Sequence, residues 1–249
     1  SCDLGMWRSL AQILAYTYVV VGRFDEVLIL TQGRSGSTFL GELLSRHSHT
    51  SYLYEPCRSL QMKSSVLGDF SEGLCEDLVG RLLDCSATEN DLNTITHDWS
   101  AMEKSSKWVG ELRGKAKAGG GLMMQAAFRS RCKNGIRVVK EIRLHNGGGP
   151  LLVRKGTAVI HLVRDARAVV SSRLRIPSFC GHIGAPKCAQ ELCEAMENTV
   201  NGTEALRRSG GERYRVLRFE DLAQNPLGEA QVMEWSGGVK DGGAHRTLW

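Results

Sequence analysis

The chain has 249 residues, a formal charge of +5 and 28 glycines in an otherwise ordinary composition, long enough to bury a core in one large domain or two small ones. The mild positive charge suits anionic ligands, and without a long Lys/Arg block interleaved with aromatics it argues against wholesale nucleic-acid binding. Eight cysteines include no C-x-x-C pair, which excludes the usual zinc-ribbon and thioredoxin-type spacings. Disulfides fit an oxidising lumen, and free buried thiols fit the alternative.

In chain order, Leu10 to Val21 is mostly apolar, but it is twelve residues long and carries Gln12, too short to span a bilayer. The stretch Glu26 to Leu44, E-V-L-I-L-T-Q-G-R-S-G-S-T-F-L-G-E-L-L, organises the rest. Val27 to Leu30 is an apolar run of buried-strand length. A turn of two glycines and three hydroxyls follows, Gly33 to Thr38, and then Phe39, Leu40, Leu43 and Leu44 recur at helical spacing. Strand, tight polar turn and helix aim backbone N–H groups and a positive helix end at one point, which suits phosphate or sulfate. Arg34 adds a planar donor fork for the same anion. The nucleotide P-loop pattern is not met, because Ser37 and Thr38 follow Gly36 with no Lys.

Ser51 to Glu55 predicts a short strand ending at a carboxylate before Pro56. Phe70, Leu74, Leu78 and Leu82 recur every four residues and predict an amphipathic helix over 70–83. Thr88 to Ser106 is polar and is expected to be surface loop, and Gly119 to Gly121 should break the helix running from Trp108 to Gln125. Ile136 to Val139 is β-like, with Lys140 at its end as a solvated lysine; Gly147 to Pro150 is a turn cluster. Thr157 to Val163 is another buried-strand candidate, followed at once by R-D-A-R-A-V-V-S-S-R. Lys187 to Arg208 predicts a helix, Tyr214 to Phe219 a strand, and Glu220-Asp221-Leu222 the cap of a following turn or helix.

This alternation predicts an α/β fold, a mainly parallel central sheet flanked by helices. Ligands in such sheets gather at the carboxyl ends of strands, so Arg34, Glu55, Lys140 and Arg164 are expected to face one crevice. His47 and His49 lie two apart without a carboxylate–histidine constellation around them, and no metal is expected. Asn201-Gly202-Thr203 matches the N-glycosylation acceptor.

The segment after Val163 is a second anion-ready turn, in which Arg164 and Ser172 can close on one phosphate. Two such turns imply a ligand with anionic groups at both ends. The motifs L-T-Q-G-R-S-G-S-T-F-L-G-E-L-L, Y-L-Y-E-P, H-L-V-R-D-A-R-A-V-V-S-S-R and V-L-R-F-E-D-L-A-Q-N-P together resemble the carbohydrate sulfotransferases, in the group acting on O-6 of galactose, N-acetylgalactosamine or N-acetylglucosamine. The resemblance runs from Val27 to Pro226. It departs at Ala166, where the family usually has Pro, and in the tail from Trp235 to Trp249.

The resemblance implies a P-loop-like, PAPS-dependent architecture, with 3′-phosphoadenosine 5′-phosphosulfate (PAPS) as donor, a glycan acceptor and no metal. Arg34, Ser35, Gly36, Ser37, Thr38 and Phe39 would hold the 5′-phosphosulfate, and Arg164 and Ser172 the 3′-phosphate. Glu55 would be the base that takes the proton of the sugar hydroxyl, unless it pairs with Arg58 or Arg34, and Arg34 would stabilise charge on the leaving phosphate. Residues 1–22 would be an N-terminal segment beside a membrane anchor, 23–235 the sulfotransferase domain and 236–249 a divergent tail. The family also implies a type II protein of the Golgi membrane facing the lumen. Two rivals are a P-loop kinase, which needs the missing Lys, and a non-catalytic remnant that binds the nucleotide and transfers nothing.

Overall fold

A computed structural model describes residues 24–46, 49–67, 71–98, 104–105, 107–145, 156–209, 213–226 and 228–229. The N-terminal segment 1–22, the tail 236–249, and the residues His47, Phe70, Gly147 to Pro150, Arg154 and Lys155 lie outside the described residues. No helix among the described residues is long and apolar enough to cross a membrane.

The elements run β1 (Glu26–Thr31), α1 (Ser37–Ser45), β2 (Thr50–Tyr54), α2 (Cys57–Leu67), α3 (Glu72–Leu83), α4 (Glu89–His97) and α5 (Lys107–Lys133). Then follow β3 (Ile136–Glu141), β4 (Thr157–Val163), α6 (Ala166–Leu174), a π-helical turn (Pro177–Gly181), α7 (Gly184–Ser209), β5 (Tyr214–Arg218) and α8 (Phe219–Gln224). The strands form one sheet in the order β2-β3-β1-β4-β5, and every pairing is parallel. The expected α/β architecture is the observed one. β1 is central, so the turn after it opens at the middle of the carboxyl edge.

Alternate residues of β1 serve opposite layers. Val27 and Ile29 join Leu40, Leu44, Tyr52 and Leu222 on one face. Leu28 and Leu30 join Leu78, Leu82, Leu92, Trp108 and Phe128 on the other. Burial on both faces explains why these strands are near-continuous apolar runs.

Two local expectations change. The segment after Thr88 is a helix, α4, closed by a reciprocal capping box: Asp91 N donates to Thr88 Oγ1 (3.2 Å) and Thr88 N to Asp91 Oδ2 (2.9 Å). Its Leu92 and Ile95 are buried. In α3 the apolar stripe is rotated from a simple every-fourth pattern, because Leu74 is 52% exposed while Cys75, Leu78, Val79 and Leu82 are buried. α5 bends at Gly119 and Gly120, whose backbone angles leave the helical region, where the sequence placed a break.

Three disulfides join described cysteines: Cys57–Cys75, Cys85–Cys132 and Cys180–Cys188. Cys193 is also disulfide-bonded, so free thiols are replaced by bridges at all of the described cysteines. Thr203 of the glycosylation triplet is buried, and its hydroxyl donates to Thr199 O (2.9 Å) and accepts from Tyr214 (3.1 Å). Core packing therefore accounts for that threonine.

Candidate active site

The turn after β1 depends on left-handed backbone at Arg34 (φ 75°) and Gly36 (φ 91°). Ser35 N closes it onto Gln32 O (3.2 Å), and Phe39 N folds back onto Gly36 O (3.0 Å). No side chain caps α1 at Gly36, so the first-turn amides of Ser37 and Thr38 remain for a ligand. Gly36 is required twice. Its φ disfavours a side chain, and a Cβ there would stand 2.2 Å from the Phe219 ring. Thr31 Oγ1 donates to Leu162 O (2.7 Å) and shares a hydrogen bond with Ser35 Oγ, which ties the turn to β4.

The second turn meets the first. Arg34 Nε donates to Ser172 Oγ (3.0 Å), and an Arg164 amino group donates to Arg34 O (3.2 Å). Asp165 caps α6 by accepting from Arg167 N (2.8 Å). Ala166 thus sits at the first helical position, where proline is favoured but not required. The Arg164 guanidinium lies 4.6 Å from the centre of the Phe219 ring, and Glu220 accepts from Asp165 N (3.0 Å). The F-E-D-L segment therefore packs against both turns of the candidate anion site, Phe219 lying beside Gly36 and Arg164. Among the described residues neither Arg34 nor Arg164 has a carboxylate partner. Two guanidinium groups without carboxylate partners, beside first-turn amides and hydroxyls, suit an anionic ligand.

Glu55 follows β2 with φ 43° and is 5% exposed. It pairs with neither Arg58 nor Arg34: Arg58 bonds Asp98 (3.0 Å). Instead the Glu55 carboxylate is held between Lys140 and Arg143, the latter at 3.0 Å. Lys140 is a second departure from expectation, since it is 2% exposed and pinned between Glu55 and the Tyr54 ring, 4.1 Å from its centre. Pairing of Tyr54 with Lys140 across β2 and β3 brings them together.

Burial alone would raise the Glu55 carboxyl, but Lys140 and Arg143 outweigh it and hold its pKa at about 2. Burial holds the Lys140 ammonium below the ordinary lysine range, against the pull of Glu55. Arg143 also bonds Glu141 (3.0 Å) and Gln61 (2.6 Å). The sulfurs of Cys57 and Cys75 and the Glu141 carboxylate lie within 4.8 Å of one another, but the sulfurs are bonded to each other and Glu141 accepts from Cys57 N (2.9 Å).

Tyr54 flanks the Glu55–Lys140 pair, its ring against the Lys140 ammonium and its hydroxyl pKa raised above the ordinary tyrosine range by burial and by the Glu55 charge. Sequence reasoning missed Tyr54, Arg143 and Phe219. Each stands inside or beside a motif that was read (Y-L-Y-E-P, the Lys140 strand end and V-L-R-F-E-D-L), but their partners are distant in sequence.

No family model matches the chain. It is 28% identical over 254 residues to carbohydrate sulfotransferase 4 of Mus musculus, a match covering 82% of this chain and 62% of that protein. Similarity to carbohydrate sulfotransferase 5 of Homo sapiens is 27% over 248 residues, covering 83% and 60%. Against carbohydrate sulfotransferase 1 of Mus musculus it is 25% over 278 residues, covering 92% and 67%. The chain thus spans about three fifths of the first two relatives, 62% and 60%. Among solved structures, a sulfotransferase domain from the curacin biosynthetic pathway superposes with a TM-score of 0.48 at 17% identity, over 86% of this chain and 72% of that one.

Proposed function

We propose that the chain, which is 25–28% identical to carbohydrate sulfotransferases, is one of them and carries a sulfuryl group from PAPS to a sugar hydroxyl, O-6 of N-acetylglucosamine, N-acetylgalactosamine or galactose, on glycoprotein or glycosaminoglycan chains. One observation carries the reading: the buried Glu55 carboxylate follows β2 and the anion turn follows β1, at the carboxyl ends of two strands of one parallel sheet, the edge where ligands gather in such folds. A base and a donor site on one edge can face the same acceptor hydroxyl, as in-line transfer needs.

The donor supplies a sulfuryl group already activated on a phosphate. In our reading Arg34, Ser35, Gly36, Ser37, Thr38 and Phe39 hold its 5′ end through first-turn amides, hydroxyls and a guanidinium. Arg164 and Ser172 hold the 3′-phosphate. Arg34 also offsets charge that develops on the leaving phosphate. Glu55 orients the acceptor hydroxyl and takes its proton. With a pKa of about 2 it is a weak base, always ionised at neutral pH. It suffices if proton transfer runs with bond formation, since the hydroxyl becomes more acidic as its oxygen bonds sulfur. Lys140 and Arg143 keep the carboxylate charged and aimed.

We further place the chain in the Golgi lumen of a type II membrane protein. Three disulfides among the described residues support an oxidising compartment.

The test is transfer of labelled sulfate from PAPS to a panel of glycans, with Glu55→Gln and Arg34→Ala in parallel. Expected are transfer by the wild type, a loss of at least about 100-fold in Glu55→Gln, and weakened 3′,5′-ADP binding only in Arg34→Ala. Binding of 3′,5′-ADP without transfer to any glycan would favour a nucleotide-binding remnant. Absence of both would overturn the donor site.

A further inference from the structure

One cation at the anion turn plays no part in the chemistry above. Arg173, directly after Ser172, sends its Nε–H to the carbonyl of Gly33 (3.1 Å). Arg164 takes the next carbonyl, that of Arg34 (3.2 Å). Two consecutive peptide planes of the turn are therefore gripped by their oxygens. In a trans peptide the N–H points opposite to the C=O, so each grip also fixes the direction of an amide. A carbonyl turned toward a bound phosphate would repel it, and these two are engaged by positive groups instead.

The Arg173 grip is itself supported. Its guanidinium lies 5.5 Å from the centre of the Phe179 ring. That ring rests on the turn as well: a Cβ at Gly33 would stand 2.7 Å from it. Phe179 belongs to the π-helical turn Pro177–Gly181, and the next residue, Cys180, is buried and bonded to Cys188 at the start of α7. Disulfide, aromatic ring, guanidinium and carbonyl form one line of support ending at the first glycine of the turn.

We propose that Arg173 is a positioning residue that holds the Gly33–Thr38 turn in its anion-ready form, with Phe179 and the Cys180–Cys188 bridge as its backing. It acts on the donor through the turn and touches no reacting atom. The proposal rests on reading this turn as the donor site, but its test has a readout that needs no donor.

That readout is hydrogen exchange of the full chain over peptides covering residues 31–40, in wild type, Arg173→Met and Arg173→Lys. Arg173→Met should exchange faster there by about tenfold while exchange across β3 and β4 stays unchanged, because one charge-assisted hydrogen bond is lost. Arg173→Lys, which restores a cation but not the planar fork, should recover part of the protection. In parallel, 3′,5′-ADP should bind Arg173→Met about tenfold more weakly, and KM should rise for PAPS but not for the acceptor. If Arg173→Met does not fold, Phe179→Leu, which removes the ring and keeps the guanidinium, should show the same local change. Unchanged exchange over 31–40 in the variant that folds would overturn the proposal, as would a rise spread evenly over the sheet. Failure of the wild type to bind 3′,5′-ADP would instead strike the donor reading and leave the exchange result to decide for Arg173.

Discussion

Glu55, Lys140 and Arg143 set one carboxylate between two cations inside the molecule, and removing the carboxylate is not a neutral change. Glu55→Gln keeps the shape but leaves the Lys140 ammonium without its partner, and breaking one side of a buried pair typically costs about 3–5 kcal/mol. The loss should appear in urea unfolding at pH 7, and Lys140→Met in the same chain should recover part of it. The pH dependence has a definite sign. The folded pKa of about 2 lies below the reference 4.5, so this stabilisation is whole above about pH 5 and is lost as pH falls towards 2. The stability gap between wild type and Glu55→Gln should therefore narrow through that window; a gap that holds constant down to pH 2 would mean that the carboxylate is not held by the cations. Little of this pair was legible. A lysine at a strand end reads as solvated, and only the register of β2 on β3, which no local pattern encodes, puts Tyr54 and Glu55 over it. The meeting of Arg34, Arg164 and Ser172 was more legible, because Arg34 and Arg164 sit in strand-end turns and Ser172 in the helix that follows the second, so each motif is local.

Elements were readable to the extent that their own residues decide them. β4 runs from Thr157 to Val163, as the mostly apolar run T-A-V-I-H-L-V implies. α4 was missed although its signature was present: Thr88 followed three residues later by Asp91 is a capping box, with the acid as Asp rather than the commoner Glu or Gln. High polarity hid it: Leu92 and Ile95 are its buried apolar residues, beside the buried polar Asp91 and Thr94. The cap should then matter more than in a longer helix. Thr88→Ala removes the acceptor for Asp91 N and a hydroxyl donor to the Asp91 carboxylate (2.8 Å). It is expected to lower stability by about 1 kcal/mol, read as a shift in the urea midpoint with an unchanged slope. No shift would mean that the Arg81–Asp91 pair (2.8 Å) holds the helix start without the threonine.

At the scale of the whole molecule, the sheet order and the pairing of cysteines are long-range facts that no single stretch specifies, and they couple stability to function unevenly. The bridges close 47 residues (Cys85–Cys132), 18 (Cys57–Cys75) and 8 (Cys180–Cys188). Loop-closure entropy ranks their contributions in that order, at about 4, 3 and 2.5 kcal/mol. Paired Cys→Ala variants should follow this rank in urea unfolding. Donor binding should rank differently. Cys85–Cys132 joins the end of the α3 layer to α5, on the sheet face that carries Leu78 and Phe128, and its removal should leave 3′,5′-ADP affinity within about twofold in the fraction that stays folded. Cys180–Cys188, the smallest contributor to stability, backs Phe179 against Gly33, and its loss should weaken affinity most of the three. If affinity instead falls in proportion to stability across the three variants, the turn is sensitive to the fold as a whole and the bridge beside it has no separate part. If the two rankings cross, the molecule uses one bridge to hold its layers together and another to hold its ligand site.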